Sequence, residues 1–533
     1  MRITSLGIWY MSIVVSIACV VLGIVHCPWW LMGLIWGLPT AAVGLWDVTQ
    51  TRHSILRNYP ILGHLRFFFE SIRPEMMQYF VETDEAGRPY NRVQRTAVYE
   101  RAKNLEDVKP FGTELDVYGT EYEYIRHSIA PKPKQDHNFR VEIGNSQCSK
   151  PYHASVLNIS AMSFGALSPH ALESLNLGAK LGNFYHDTGE GGVSPYHIKH
   201  GGDLVWEVGT GYFGCRDDQG NFNPDMFHEI AVMDQIKMVE IKVSQGAKAG
   251  HGGVLPGAKV DAEIARVRRI PEGKDCISPA FHTAFSTPTG LLEFTAKLRE
   301  LSGGKPAGFK LCIGRPHEFM AVCKAIQTTG ILPDFIVIDG AEGGTGAGPV
   351  EFLDHMGVPL TEGLLFAHNA LVGMGLRDHI KIGASGKIAT AFNIAQRMAM
   401  GADWCNAARA FMFAVGCIQA ERCHTNTCPV GVATQDPKLF RGLVVGDKSQ
   451  RVYHYHQNTL EALAEVTAAT GLMHPSEFDE KHIARRITPT QVEPYAEIYD
   501  FLKPGELIDQ CDHRPMWKRW LSHASPDTFD RIG

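Results

Sequence analysis

Three cysteines, Cys417, Cys423 and Cys428, lie in the stretch GCIQAERCHTNTCPVGVATQ, with five and four residues between them and Pro429 after the third. Thiolates this close on one loop can hold a single metal centre. Cys-Pro after the last ligand is a feature of iron–sulfur loops. Two other readings share the spacing. Free cysteine is commonly buried, so the stretch could be a packed loop with no metal. A structural zinc is the third reading, although zinc sites take four ligands in C-x2–4-C pairs and these gaps do not match. His424 is the nearest fourth donor, and its place beside Cys423 strains the geometry.

A second group of residues suits a phosphate-bearing ligand. Ser160-Ala161-Met162-Ser163-Phe164-Gly165, Asp187-Thr188-Gly189-Glu190-Gly191-Gly192 and Asp339-Gly340-Ala341-Glu342-Gly343-Gly344-Thr345-Gly346 each follow a short apolar run. So do Gly383-Ala384-Ser385-Gly386-Lys387 and Asn406-Ala407-Ala408-Arg409. Glycines let backbone N–H groups approach a phosphate, and Lys387 and Arg409 add charge. One such loop reads as a tight turn; several together favour a bound cofactor. Lys242 and Lys248, six apart in KVSQGAKAGHGG, suit an acidic substrate. Lys310 sits in an apolar run, where a buried ammonium needs an anion; a reduced flavin, negative near N1, would be one. Gly209-Thr210-Gly211-Tyr212-Phe213-Gly214 matches G-x-G-x-x-G, but the turn-rich CRDDQGNFNPD follows it. A dinucleotide fold needs a helix there, so a nicotinamide site is rejected.

The elements that must carry these loops are short strands. Runs at 156–160, 181–187, 238–243, 274–278, 308–313, 334–339, 379–385 and 402–408 read as eight buried strands with helical stretches between most of them. The expected fold class is α/β, a (β/α)8 TIM barrel, whose functional residues gather where strands end. A doubly wound sheet would collect its polar loops at one switch point, whereas here they follow nearly every strand.

Residues 7–25 and 29–46 are two uncharged apolar runs separated by His26-Cys27-Pro28, with Trp29, Trp30 and Trp46 at the ends of the second. Each is long enough for a membrane span. The first is too long for a secretory signal and lacks a small-residue cleavage site. Arg2 at one end and Arg52, His53 and Arg57 at the other put both ends of the hairpin in the cytoplasm by the positive-inside tendency. The expected address is the inner membrane of the cell, with the catalytic domain on the cytoplasmic face and lipid as a partner. The apolar and basic residues of 52–82 suit a helix near the membrane surface. The expected divisions are a transmembrane hairpin at 1–50, a helical and extended lead-in at 51–150, the barrel with its cysteine loop at 151–440, and helices with a peripheral tail at 441–533. A net charge of −6 with no long basic run argues against nucleic acid. The other nine of the twelve cysteines are scattered, as in a reducing compartment rather than a disulfide scaffold.

ISAMSFGALS, DTGEGG, IKVSQGAKAGHGGVLPGAKV, DGAEGGTGAGP and GCIQAERCHTNTCPVGVATQ, in this order over about 150–440, resemble motifs of the FMN-binding synthase domain of glutamate synthases. The resemblance implies a (β/α)8 barrel holding FMN beside a 3Fe–4S cluster, and reduction of 2-iminoglutarate, formed from 2-oxoglutarate and ammonia, to glutamate. It implies that Cys417, Cys423 and Cys428 bind the cluster. Ala161, Met162, Ser163, Gln245, Lys310, Gly343, Gly344, Thr345, Ser385, Gly386, Lys387, Ala407 and Arg409 would lie around FMN. Lys242, Lys248 and Arg268 would face the carboxylates of the oxo acid, and Glu190 would stand near the reacting centre. The resemblance extends neither to an N-terminal glutaminase domain nor to a C-terminal β-helical domain. The expectation is therefore that ammonia comes from solution or from an amidotransferase subunit, and electrons from a donor such as ferredoxin. Ala249 and His251 stand where the family has Pro and Glu, which leaves room for a related oxo acid or another amine, as in N-methylglutamate synthase subunits. The alternative expectation is a membrane-attached flavin and iron–sulfur electron carrier without glutamate chemistry.

Overall fold

The computed structural model describes residues 2–532 and divides into two compact units, Met1–Arg92 and Val93–Gly533. The boundary thus falls within the expected lead-in.

In the first unit, α1 (Arg2–Val25) and α2 (Leu34–Thr49) pack side by side across a 3-10 turn at Pro28–Gly33. Thr4–Val25, and Pro28–Thr49 with the 3-10 turn included, are each long and apolar enough to cross a membrane. Asp47, buried near the end of α2, accepts from the Ile61 amide at 2.9 Å and pairs with His64 Nε2 at 2.9 Å. His64 belongs to α3 (Gly63–Met76), which leaves Leu65, Phe68 and Phe69 exposed.

The second unit opens with α4 (Arg92–Ala102) and is built on a closed barrel of eight parallel strands. These are β1 (Leu157–Ile159), β2 (His186–Asp187), β3 (Leu204–Val208), β4 (Ile236–Lys242), β5 (Ala307–Leu311), β6 (Phe335–Asp339), β7 (Lys381–Ser385) and β8 (Trp404–Ala407). Strand side chains alternate between faces, so every second residue fills the interior. Along β4 that places Met238, Glu240 and Lys242 one above the other. Met238 packs with Val205, Phe335 and Trp404 at the lower end. An antiparallel hairpin, Arg140–Ile143 with Tyr152–Ser155, closes that end and adds Ile143 and Ala154 to the same cluster.

Helices return the chain between strands. α5 (Pro169–Gly182), α6 (Pro288–Leu301) and α7 (Ala391–Ala399) each start on a hydroxyl N-cap, Ser168, Thr287 and Thr390, that accepts an amide of the first turn. The long α8 (Val445–Ala469) lies against α5.

Three expectations are corrected. The run at 274–278 is not a barrel strand: Cys276–Ile277 pairs antiparallel with Val254–Leu255 outside the barrel. The strand that fills the ring is Leu204–Val208, buried at all five positions. Ile277 is 68% exposed, so its strand buries one face only and cannot serve where both faces are covered. The C-terminal region is not all helical either. Ile483–Thr488 and Gln491–Pro494 form a sheet with Glu123–Ile125, a partner too distant in sequence for a local pattern to reveal. The last thirty residues, expected as a peripheral tail, are tied to the fold: Pro515–Ser522 is a helix whose Trp517 is buried and stacks on Phe366 at 5.2 Å.

Candidate active site

The ends of the barrel strands converge at one mouth. Lys242 closes β4, and its ammonium donates to Glu190 Oε2 at 2.8 Å and Gln245 Oε1 at 2.7 Å. Lys248, 3% exposed, follows on a 3-10 turn and donates to the Ala347 carbonyl at 3.1 Å. Arg268 is buried on a short helix; its Nη2 donates to the Phe164 carbonyl at 2.9 Å, and its guanidinium lies 5.2 Å from the Phe213 ring centre. The four residues expected to handle substrate are therefore one electrostatic group. Burial pushes the Glu190 carboxyl up, but Lys242, then Lys248 and Arg268, outweigh it and hold it at about 2. Glu190 stays ionised at any working pH. Three cations against one carboxylate leave the group at +2, the complement of a dianion.

Two glycines make this packing possible. A Cβ on Gly253 would overlap Glu190 Oε1, and one on Gly246 would overlap the Gly340 carbonyl. The Gly246 amide donates to Asp339 Oδ2 at 2.7 Å, which locks the loop after β4 onto the end of β6. Gly253→Ala displaces only the flexible tip of Glu190, so the expected result is a nearly unchanged melting temperature with kcat/KM lowered about tenfold, the scale on which a small misplacement at a site acts. Thermal melts beside steady-state kinetics check it.

Ala161, Met162 and Ser163 follow β1, and the Met162 amide donates to Asp187 O at 3.3 Å. Ser385 at the end of β7 lies 3.4 Å from Ser160, oxygen to oxygen, and the Ser160 amide donates to Ala407 O at 3.1 Å. Gly343, Gly344 and Thr345 form the loop after β6, where Gly344 abuts Arg409 and Arg409 Nη2 donates to Glu342 O at 2.6 Å. Lys387 adopts a left-handed φ of 51°, a conformation a non-glycine residue keeps only where its surroundings impose it. Hydroxyls, glycine backbone and two cations after β7 and β8 are the donor set of a phosphate monoester, in the corner where this fold takes one. The mouth fits a flavin phosphate.

Lys310 lies deeper, 4% exposed. Its ammonium pairs with Glu207 and lies 3.3 Å from Glu240 Oε1 without hydrogen-bond geometry. Burial alone would lower its pKa; Glu207, Glu240, Asp187 and Asp339 raise it well above the usual value. Its charge is thus met by carboxylates, and no flavin anion is needed to explain it. Glu240 is pushed up by burial, against Lys310, to about 7. Sequence reading overlooked Glu207 and Glu240, although an acid within LVWEV and another within MVEIKV were visible as charges in otherwise apolar strands. It also overlooked His282, which bridges the Lys242 carbonyl at 2.9 Å and the Tyr212 hydroxyl at 3.0 Å.

The cysteine loop lies against the loop after β1. Gln435 Nε2 donates to the carbonyls of Gly165 and Leu167 at 3.1 and 2.8 Å, and the Ser168 amide donates to Val432 O at 2.9 Å. Tyr99 of α4 donates to the Cys417 carbonyl at 2.7 Å. Gln419, Glu421 and Asn426 are left-handed, and Asn426 Oδ1 accepts from the Gln435 amide at 2.7 Å. The Gln419 amide points at Cys417 Sγ from 3.4 Å, the kind of N–H to sulfur contact that tunes cluster ligands. Among the described residues, the one set of three Asp, Glu, His or Cys donors within 4.8 Å of one another is Asp187, Glu207 and Glu240. Cys417, Cys423 and Cys428 do not form such a set.

The family model for the conserved region in glutamate synthase matches residues 97–473, which enclose every residue named in this site. The chain is 37% identical over 516 residues to the glutamate synthase large subunit-like protein YerD of Bacillus subtilis, covering 89% of this chain and 96% of that one. It is 33% identical over 353 residues to the archaeal glutamate synthase (NADPH) of Methanocaldococcus jannaschii, 66% of this chain and 65% of that one. With the archaeal-type glutamate synthase (NADPH) of Thermotoga maritima the identity is 34% over 284 residues, 53% of each chain. The chain thus spans nearly all of the Bacillus relative and about half to two thirds of the other two.

Proposed function

This chain belongs to the glutamate synthase family of oxidoreductases acting on CH–NH2 donors, and from that premise we propose that it reductively aminates 2-oxoglutarate, or a related oxo acid, to glutamate. The observation that carries the substrate class is the +2 group of Lys242, Lys248, Arg268 and Glu190 at the barrel mouth. FMN, when bound, supplies the hydride equivalent to the imine carbon, and a 3Fe–4S cluster on Cys417, Cys423 and Cys428 supplies single electrons. Lys387, Arg409, Ser385 and Gly386 would hold the flavin phosphate, with Ala161, Met162, Ser163 and Gln245 along the ring.

The chain's own part is to bind and orient. Lys242 and Lys248 hold the carboxylates of the acid, and Arg268 fixes the loop after β1 through the Phe164 carbonyl while adding charge. Glu190, ionised and held by Lys242, cannot give a proton in the free site; it orients Lys242 and repels a wrongly placed carboxylate. Burial, only partly opposed by Glu190, brings the Lys248 ammonium down to about 8. Lys248 is charged below that pH and neutral above it. The expected result is a kcat/KM for the oxo acid that is level below about pH 8 and falls above it, since kcat/KM reports the free enzyme. A bound dianion favours the charged lysine, so the fall in kcat lies at higher pH. A profile of both constants from pH 6 to 10 checks this.

The site also favours a second reading. His251 lies beside Glu190 and Lys242 at the mouth, with its ring centre 5.0 Å from that of Phe352. An aromatic pair there suits an amine or acid bulkier than ammonia and 2-oxoglutarate. We further propose that α1 and α2 anchor the chain in the inner membrane with the barrel in the cytoplasm. The test of the main reading is glutamate formation from 2-oxoglutarate and ammonia by detergent-purified, anaerobic protein with a chemically reduced donor. Absence of product from protein carrying flavin and iron would sink the substrate assignment, and turnover with an alkylamine alone would favour the second reading.

A further inference from the structure

Lys259 is buried, 2% exposed, at the far end of the loop that carries Lys242 and Lys248. Its ammonium donates to three carbonyls, Ala166 at 2.7 Å, Cys423 at 3.2 Å and Ala433 at 3.3 Å. Among the described residues, none of its hydrogen bonds or ion pairs goes to a carboxylate. Lys310, 4% exposed, lies against Glu207 and Glu240, and Lys242, 9% exposed, pairs with Glu190; Lys305, 7% exposed, and Lys248, 3% exposed, also donate to carbonyls, but neither lies at the cysteine loop. An ammonium taken out of water without an anion is costly, so a structure that keeps one supplies the anion from elsewhere. The charge of Lys259 lies close enough to act on the Cys423 and Cys428 thiols. A second buried cation, Arg95 on α4, 7% exposed with its Nε unpartnered, acts on Cys417. Glu421 is the acid that acts on Cys423 from the opposite sense.

We infer that Lys259 is the fixed counter-charge of an anionic iron–sulfur cluster on Cys417, Cys423 and Cys428, a positioning residue that ties the loop after β1 to the cysteine loop and raises the cluster's reduction potential, with Arg95 as the second cation. The inference rests on the cluster proposed above. Each electron accepted adds a negative charge beside a cation that cannot move away. Cluster potentials follow net charge, hydrogen bonding and exposure, so removing a buried cation disfavours the reduced form.

Lys259→Met keeps the bulk and removes the charge; Lys259→Arg keeps the charge. The full chain is purified anaerobically in detergent, and iron, acid-labile sulfide and the EPR signal of the oxidised protein are measured through a potentiometric titration. The expected result is wild-type iron in Lys259→Met with the reduced-to-oxidised ratio at fixed potential lowered about tenfold, about 59 mV for one electron. Lys259→Arg stays near wild type. Superimposable titrations of wild type and Lys259→Met, both with full iron, overturn the inference and leave the cluster standing. If Lys259→Met binds no iron, the arginine variant decides: full iron at wild-type potential supports the charge, and no iron shows that shape alone mattered. Wild-type protein without iron removes the cluster and this inference together.

Discussion

Lys242→Met is expected to lower kcat/KM for 2-oxoglutarate by about 30- to 4000-fold while flavin content stays unchanged. Truncating one partner of a buried charge pair costs about 2–5 kcal/mol, and each 1.4 kcal/mol is about tenfold. Two losses combine here. The site loses one of the three cations that face an acid, falling from +2 to +1. Glu190 also loses its closest partner, the ammonium at 2.8 Å that does most to hold its carboxyl near 2. Burial then drives that carboxyl upward, and its own orientation loosens. Lys242→Arg separates the effects, because it restores charge without the same reach to both Glu190 and Gln245. Steady-state kinetics with calorimetric titration of a dicarboxylate measures the result. A kcat/KM within threefold of wild type means the acid is not held at this mouth.

Cys423→Ser is expected to abolish the cluster, with iron and the EPR signal below about a tenth of wild type and the flavin spectrum intact. Thiols must lose their protons to bind metal. Here burial, then Cys423 and Cys428, push Cys417 up to about 12, so its proton must be given up when metal binds. A serine hydroxyl is far harder to ionise and offers a harder donor. Asn426, Gln435 and Tyr99 hold the loop by hydrogen bonds that involve no cysteine side chain, so the substitution leaves those bonds in place. Wild-type iron and signal in this variant would show that the ligands lie elsewhere.

The barrel was legible because seven of its strands carry short apolar runs that lead into polar or glycine-rich loops. β3, LVWEV, was not singled out as a strand, and its Glu207 finds its partner Lys310 on β5. Period-two placement explains why Glu207 and Glu240 face each other, but the pairing depends on closure of the ring, which no local pattern encodes. Glu190, Lys242 and Lys248 were named from their motifs and Arg268 from the family resemblance alone, and the structure adds that the four act on one another. Lys259, within PGAKV, drew no reading of its own from the sequence; only its burial against three carbonyls marks it. The strand at Ile483–Thr488 read as helix because its pairing partner lies at the other end of the chain.

That last pairing bears on how the protein is made. Ile125 and Ile483 are register partners 358 positions apart. At about 5–20 residues per second of synthesis, the first strand leaves the ribosome roughly 20–70 s before its partner exists. During that interval the nascent barrel carries an open sheet edge. The edge is three residues long and begins with a glutamate, two features that discourage edge-to-edge pairing with another nascent chain. A chain cut short before residue 483 would carry every motif of the active site and still leave that edge unpaired.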